Sequence, residues 1–351
     1  MRPLCVALLL VAPALHAQGT TGDFVMADFS FSSSETLAAL RIHYVTLGAP
    51  RRDGRGMVRN AVLILHGTGG SGRAFLSRNF AGELFGPGQL LDTARYYVIL
   101  PDGIGHGGSS KPSDGLHARF PHYSYHDMVL AQYRLLTEHL GVDHLRLLVG
   151  TSMGCMHAWV WGYTYAAFAD GLVPLACAPR QIAGRNRMMR AMVMDDIRED
   201  TAWQGGDYST QPQAGLRAAL QVLYLMGSAP LVQQRQAPTR EAADSLIRAY
   251  VAQRLQTTDA NDLLYAFDAS RDYDPAPHLS QITAPVLAIN SADDVVNPPE
   301  LGVVEPLVAQ VRGARFVLLP VGPDTHGHGT HSWPAVWGRY LQTFLATLPE
   351  R

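Results

Sequence analysis

The stretch Leu145-Arg146-Leu147-Leu148-Val149-Gly150-Thr151-Ser152-Met153-Gly154 decides how the rest of this chain is read. Its first half is an almost unbroken apolar run, which suits a strand buried on both faces. A helix-compatible run over residues 152–165 follows directly. Between them, Gly-x-Ser-x-Gly places a serine on a strand-to-helix turn. Such a turn holds the serine in a strained conformation that projects its hydroxyl beyond the sheet, and the glycines let the backbone pass close to the neighbouring strand and helix. Ser152 is therefore the candidate nucleophile. The bare motif arises by chance in many chains; the strand before it and the helix after it make it informative.

Working outward, short β-rich runs alternate with helical stretches. Strands are expected at residues 41–47, 61–66, 96–100, 145–150, 171–177, 285–290 and 315–320, and helices at 125–140, 152–165 and 337–348. This alternation implies an α/β class: a mostly parallel sheet with helices on both faces. Residues 180–278 carry no strand signal but do carry helical spacing, clearest over 241–255. They read as a helical cap inserted between two parts of a core, 18–179 and 279–351. A cap over the carboxyl ends of the strands would shape the pocket where open α/β sheets bind ligands.

A strand, a Gly-x-Ser-x-Gly turn and a helix in that order resemble the α/β-hydrolase fold, in which an acid and then a histidine follow the serine along the chain. A serine hydroxyl needs both, a base to take its proton and an acid to orient the base. The acid is expected after strand 285–290, where Ser291-Ala292-Asp293-Asp294 lies. Asp294 is favoured because it stands four residues before Pro298; Asp293 is the alternative, and whichever is not the acid reads as a solvated loop residue. The base is expected after strand 315–320, among His326, His328 and His331. His328 has the fitting distance to Phe344-Leu345 and a glycine on either side, whereas His331 lies close to the last helix. A metal site is the rival reading of three clustered histidines, and it is set aside because the serine and acid motifs already account for the site.

The negative charge that develops on an attacked carbonyl needs backbone N–H donors aimed at it. Met153, just after the serine, should supply one. Thr68 in the loop His66-Gly67-Thr68-Gly69-Gly70 should supply the other, with His66 holding that loop and His106 serving its own turn. Nothing in these motifs calls for a cofactor or a metal.

With those residues placed, the chain resembles the homoserine O-acetyltransferase branch of the α/β-hydrolases. The likeness runs through Gly86-Pro87-Gly88, Leu91-Asp92-Thr93, Phe120-Pro121, Asp127-Met128-Val129, Ala131-Gln132, Leu140-Gly141-Val142 and Ser152-Met153-Gly154. It continues from Trp203 to Gly206-Asp207-Tyr208. The resemblance implies the Ser152–Asp294–His328 triad and the Thr68 and Met153 donors. It also departs from the family. Gly67-Thr68-Gly69-Gly70 stands where the family has Ala-Leu-Thr-Gly, and Cys155 stands where the family repeats a glycine. The arginine that would hold a homoserine carboxylate has no clear counterpart in the poorly aligned stretch 180–190; Arg187 and Arg190 are the candidates there, and the alternative reading makes both residues of a solvated cap face.

Composition narrows the rest. In 351 residues, 47% apolar with a net charge of −2, there is no basic stripe for nucleic acid. The first residues, Met1-Arg2 followed by an apolar stretch to Leu15 and then His16-Ala17-Gln18, read as a secretory signal with cleavage after Ala17. The protein is therefore expected to be periplasmic or secreted, without a stable membrane anchor. The mature chain keeps Cys155 and Cys177, read as two small buried core residues rather than a bridge. The expected function is hydrolysis of a carboxylic ester or lactone, with acyl transfer and ligand binding as alternatives. The expected partners are a small ester or acyl substrate and, at most, a second copy of the chain as a homodimer.

Overall fold

The apolar runs become strands whose alternate residues feed two separate cores. The computed structural model describes residues 19–349; the expected signal segment lies outside them. The strands are β1 (Thr20–Ser30), β2 (Thr36–Leu47), β3 (Ala61–Leu65), β4 (Tyr97–Pro101), β5 (Leu147–Thr151), β6 (Leu172–Leu175), β7 (Leu287–Ser291) and β8 (Arg315–Leu319). They form one sheet in the order β1-β2-β4-β3-β5-β6-β7-β8. β1 and β2 run antiparallel at one edge, and every pairing from β4 to β8 is parallel.

The helices are α1 (Arg78–Leu84), α2 (Tyr125–Arg134), α3 (Met153–Thr164), α4 (Gly184–Glu199), α5 (Gln213–Met226), α6 (Pro230–Gln236), α7 (Arg240–Leu255), α8 (Ala260–Asp268), α9 (Val304–Val308) and α10 (Pro334–Leu345). From β3, Ala61, Leu63 and Leu65 join the core that contains α2, α3 and α8. Val62 and Ile64 join the opposite core, closed by Phe80 and Leu84 of α1 and Trp337 and Leu341 of α10. Period-two alternation in strands buried on both faces thus fixes which helix lies on which side.

α4 to α8 all fall between β6 and β7, and no strand interrupts them. Among the described residues no single helix is long and apolar enough to cross a membrane. β1 went unanticipated. Only Met26 and Phe29 are fully buried along its length, so it carries little apolar alternation. It is held mainly by its long backbone ladder with β2.

The cysteines require a correction. Cys155 in α3 and Cys177 just after β6 form a disulfide, with Cα atoms 6.0 Å apart. The register explains it: Thr151 pairs with Leu175 across the parallel strands β5 and β6, so the segments leaving both strands emerge side by side.

Candidate active site

The sheet order reverses at β3 and β5, and the carboxyl ends of these strands are where open α/β sheets offer a crevice. The loop after β3 carries Gly67 and Thr68, and the turn after β5 carries Ser152. Ser152 has φ 53° and ψ −108°, a region that costs a non-glycine residue of order 1–3 kcal/mol. The turn tolerates this because its flanks are glycine. A Cβ on Gly150 would collide with the Gly154 carbonyl oxygen, and a Cβ on Gly154 with the Leu65 carbonyl oxygen.

Ser152, His328 and Asp294 come together as one hydrogen-bonded chain. Ser152 Oγ lies 2.8 Å from His328 Nε2, and His328 Nδ1 lies 2.9 Å from Asp294 Oδ2. A carboxylate only accepts, so Nδ1 carries the proton and Nε2 is left to accept from the serine. Asp294 is fully buried. Burial alone would push its carboxyl pKa up. The electrostatic interaction with His328, with hydrogen bonds from His328, Asn297 and the Val296 N–H, outweighs burial and holds the pKa below the usual carboxylate value. Asn297 Nδ2 also donates to the Ala176 carbonyl, at 3.1 Å, so the acid is tied to the end of β6. Sequence reading passed over Asn297. Its only signal was its place three residues after a candidate acid.

Asp293 faces away from this chain. It accepts from Ser291 Oγ, from Thr325 Oγ1 at 2.9 Å and from the Gly327 N–H at 3.0 Å. It is a clasp on the histidine loop, which corrects its reading as a solvated residue. The three histidines do not converge. The His326 ring stacks on Trp333, with centroids 4.1 Å apart. His331 packs edge-on against His328 and shares a hydrogen bond with Ser332. Burial, and then the neighbouring His328, hold the His331 pKa down to about 3. Among the described residues no group of three His, Cys, Asp or Glu is arranged to hold a metal ion.

Met153 is the first residue of α3, where N–H groups have no acceptor within the helix. Gly67 lies against Ser152: a Cβ there would come within 3.1 Å of the serine Cβ. Thr68 follows it, and its hydroxyl is buried without a partner. His66 holds this loop. Its Nε2 accepts from the Gly103 N–H at 2.9 Å, so Nδ1 carries the proton and donates to the Gly67 carbonyl at 2.8 Å. Burial lowers its pKa to about 4, which keeps the ring neutral. His106 donates from Nδ1 to the Ile104 carbonyl of its own turn.

In front of Ser152 lies a cavity of about 560 Å³. The core loops form one side of it; Arg190, Leu223, Met226, Tyr250, Arg254 and Phe267, all from α4 to α8, line the other. Arg187 is exposed, as a cap-face residue should be. Arg190 is not: it is 3% exposed, bonded to Asn186 and Ser270, with its guanidinium 5.3 Å from the Phe267 ring centre.

A mostly parallel sheet with a serine, a histidine and an aspartate hydrogen-bonded in line at its carboxyl edge is the arrangement of the α/β-hydrolase fold. Sequence comparison agrees: the α/β hydrolase fold profile matches residues 60–318, and the chain belongs to that family. A probable acyltransferase of Methanothermobacter thermautotrophicus is 29% identical over 84% of this chain and 89% of its own length. The homoserine O-acetyltransferase of Moorella thermoacetica is 34% identical over 54% of each chain, so the match spans about half of that relative. Among solved structures, esterase E22 superposes with a TM-score of 0.80 over 93% of this chain and all of its own, at 21% identity. That likeness speaks to the fold.

Proposed function

We propose that the protein is an exported serine hydrolase that cleaves a carboxylic ester or lactone through an acyl-enzyme on Ser152. The observation that carries this reading is the unbroken chain from Ser152 through His328 to Asp294, opening on the cavity. As Ser152 Oγ attacks the acyl carbonyl, its proton passes to His328 Nε2. Asp294 stabilises the imidazolium so formed, and the Thr68 and Met153 N–H groups hold the oxyanion. The imidazolium then protonates the departing alcohol. Water enters, gives its proton to His328 and releases the acid, which restores the serine.

Two features support export: the signal-like start at residues 1–17, and a disulfide, which persists in oxidising compartments and is rare in the cytosol. The similarity to named acyltransferases favours a second reading, in which an alcohol takes the acyl group instead of water. Where the protein works outside the cytosol, acetyl-coenzyme A is absent and water is the abundant acceptor.

The test uses the purified mature protein with 4-nitrophenyl butyrate, and separately with homoserine plus acetyl-coenzyme A. The expected result is hydrolysis, fluorophosphonate labelling of Ser152, loss of both in Ser152→Ala with the fold retained, and no homoserine acetylation. Robust acetylation without ester hydrolysis would replace the first reading by the second.

A further inference from the structure

The cavity in front of Ser152 is electrically one-sided. Arg180, Arg190 and Arg254 line it, and no aspartate or glutamate does. Among the described residues none of these three guanidiniums forms an ion pair with a carboxylate. Their situations differ. Arg180 is exposed. Arg190 is committed to Asn186, Ser270 and the Phe267 ring. Arg254, on the last turn of α7, is half-buried, and its Nε is fully buried with no acceptor. Its neighbours in the cavity are Tyr250, whose hydroxyl it meets, and the oxyanion loop, where a Cβ on Gly69 would lie 3.6 Å from its Nη2.

A guanidinium is charged at every working pH and presents a planar fork that fits a carboxylate. Buried charges are ordinarily paired, and a buried N–H without an acceptor is costly. Arg254 lines the same cavity as Ser152, and the atom placed beside the oxyanion loop is its Nη2. Arg254 also stands in α7, well outside residues 180–190, where the family resemblance would look for a homoserine ligand.

We infer that Arg254 is a specificity residue that receives a carboxylate carried by the substrate, so that the preferred ester is anionic at the end away from its scissile bond. This rests on the hydrolytic reading above. The carboxylate can belong to the acyl half or to the alcohol half of the ester, and two assay arms separate these sources. The acyl arm compares mono-4-nitrophenyl glutarate with 4-nitrophenyl butyrate. The alcohol arm compares 4-acetoxybutyrate with butyl acetate, read as acetate released.

In one arm the wild type should favour the anionic ester in kcat/KM. Arg254→Gln should lower the ratio of anionic to neutral kcat/KM by about ten- to a hundredfold, the range of a charge-assisted hydrogen bond. Arg254→Lys should recover part of the ratio, because it returns the charge without the fork. Raised salt should lower the wild-type ratio. Thermal unfolding of both variants shows whether the fold is intact, and the lysine variant reports even if glutamine destabilises the helix. A ratio that Arg254→Gln leaves unchanged in both arms overturns the inference and leaves ester hydrolysis standing. No turnover of any ester, charged or neutral, by the wild type overturns the hydrolytic reading and the inference with it.

Discussion

Replacing Asp294 by asparagine removes a charge but almost no volume, and the hydrogen bonds around it dictate the consequence. Asp294 Oδ1 accepts from the Val296 and Asn297 N–H groups at 2.8 and 3.2 Å, and Oδ2 accepts from Asn297 Nδ2 and His328 Nδ1 at 3.1 and 2.9 Å. All four partners are donors. An amide offers only one oxygen, and two backbone N–H groups hold it at the Oδ1 position. Its NH2 then faces His328 Nδ1, which must give up its proton to accept. The proton moves to Nε2, and a protonated Nε2 cannot take the serine proton. The same inversion of tautomer in a serine–histidine–aspartate site costs about ten-thousand-fold in kcat, or ~5.5 kcal/mol of barrier. Asp294→Asn should therefore lose activity toward 4-nitrophenyl butyrate by that order, and fluorophosphonate labelling should slow in parallel. Asp293→Asn disturbs only the clasp on Ser291, Thr325 and Gly327. It should cost roughly 1–2 kcal/mol of stability and leave the rate within about tenfold of wild type. A deeper loss of rate in Asp293→Asn than in Asp294→Asn would refute the assignment of the acid.

Three further perturbations follow from the same structure. Thr68→Val keeps the shape but removes a hydroxyl that is buried beside Ser152 without a partner; if that hydroxyl assists the oxyanion, kcat should fall by roughly tenfold to a hundredfold with KM little changed, whereas an unchanged kcat would confine the role to the Thr68 backbone. Cys155→Ser with Cys177→Ser opens a loop with a sequence separation of 22, and urea unfolding should record a loss of about 3 kcal/mol; equal stability of oxidised and double-mutant proteins would count against a structural bridge. His66 is held near pKa about 4 by burial, against about 6.5 in the unfolded chain. The unfolded state therefore binds the extra proton between those values, so the His66 contribution to stability should be constant above about pH 6.5 and fall by up to ~3 kcal/mol as pH drops toward 4; the buried His106 and His331 add falls of the same sign, so the check is the difference between wild type and His66→Gln, and a difference that stays flat over that window would show that the ring is not buried as a neutral group.

What could be read in the sequence follows from how local each signal is. The strands of the parallel sheet were legible because burial on both faces demands continuous apolar runs, as in β3 and β5, where every side chain is buried. β1 was not legible because a long edge ribbon needs backbone partners more than apolar side chains. The Gly150-Thr151-Ser152-Met153-Gly154 turn is self-contained, so its strain and its glycine contacts could be foreseen from ten residues. The acid and base were nominated by spacing alone, and their geometry depends on β7 and β8 delivering two loops to one point. Asp293 and Asp294 are chemically alike, and only the direction of each side chain separates them. Arg254 had no signal at all: helical periodicity places it on α7, but nothing local says that α7 turns this residue toward Ser152.

The least expected feature, the disulfide, bears on the site more than its distance in sequence suggests. Cys155 lies three residues after Ser152, and Cys177 follows Ala176 directly. Ala176, at φ 68°, accepts from Asn297 Nδ2, and Asn297 also donates to Asp294. A closed circuit therefore runs from Ser152 along α3 to Cys155, across the disulfide to Cys177 and Ala176, through Asn297 to Asp294, and through His328 back to Ser152. Two of the non-glycine residues with positive φ, Ser152 and Ala176, lie on that circuit. Strained backbone persists only where its surroundings over-determine it, and a covalent link between the nucleophile helix and the strand end that supports the acid supplies such a constraint. Without that link the elbow keeps its hydrogen bonds, from the Ser152 N–H to the Leu175 carbonyl and from the Gly154 N–H to the His66 carbonyl, but loses its covalent tie to the end of β6. Reduction of the bridge should therefore lower the activity of the folded protein as well as its stability, read as the rate of 4-nitrophenyl butyrate hydrolysis before and after treatment with a thiol reductant, and an unchanged rate would show that the circuit holds without its covalent link.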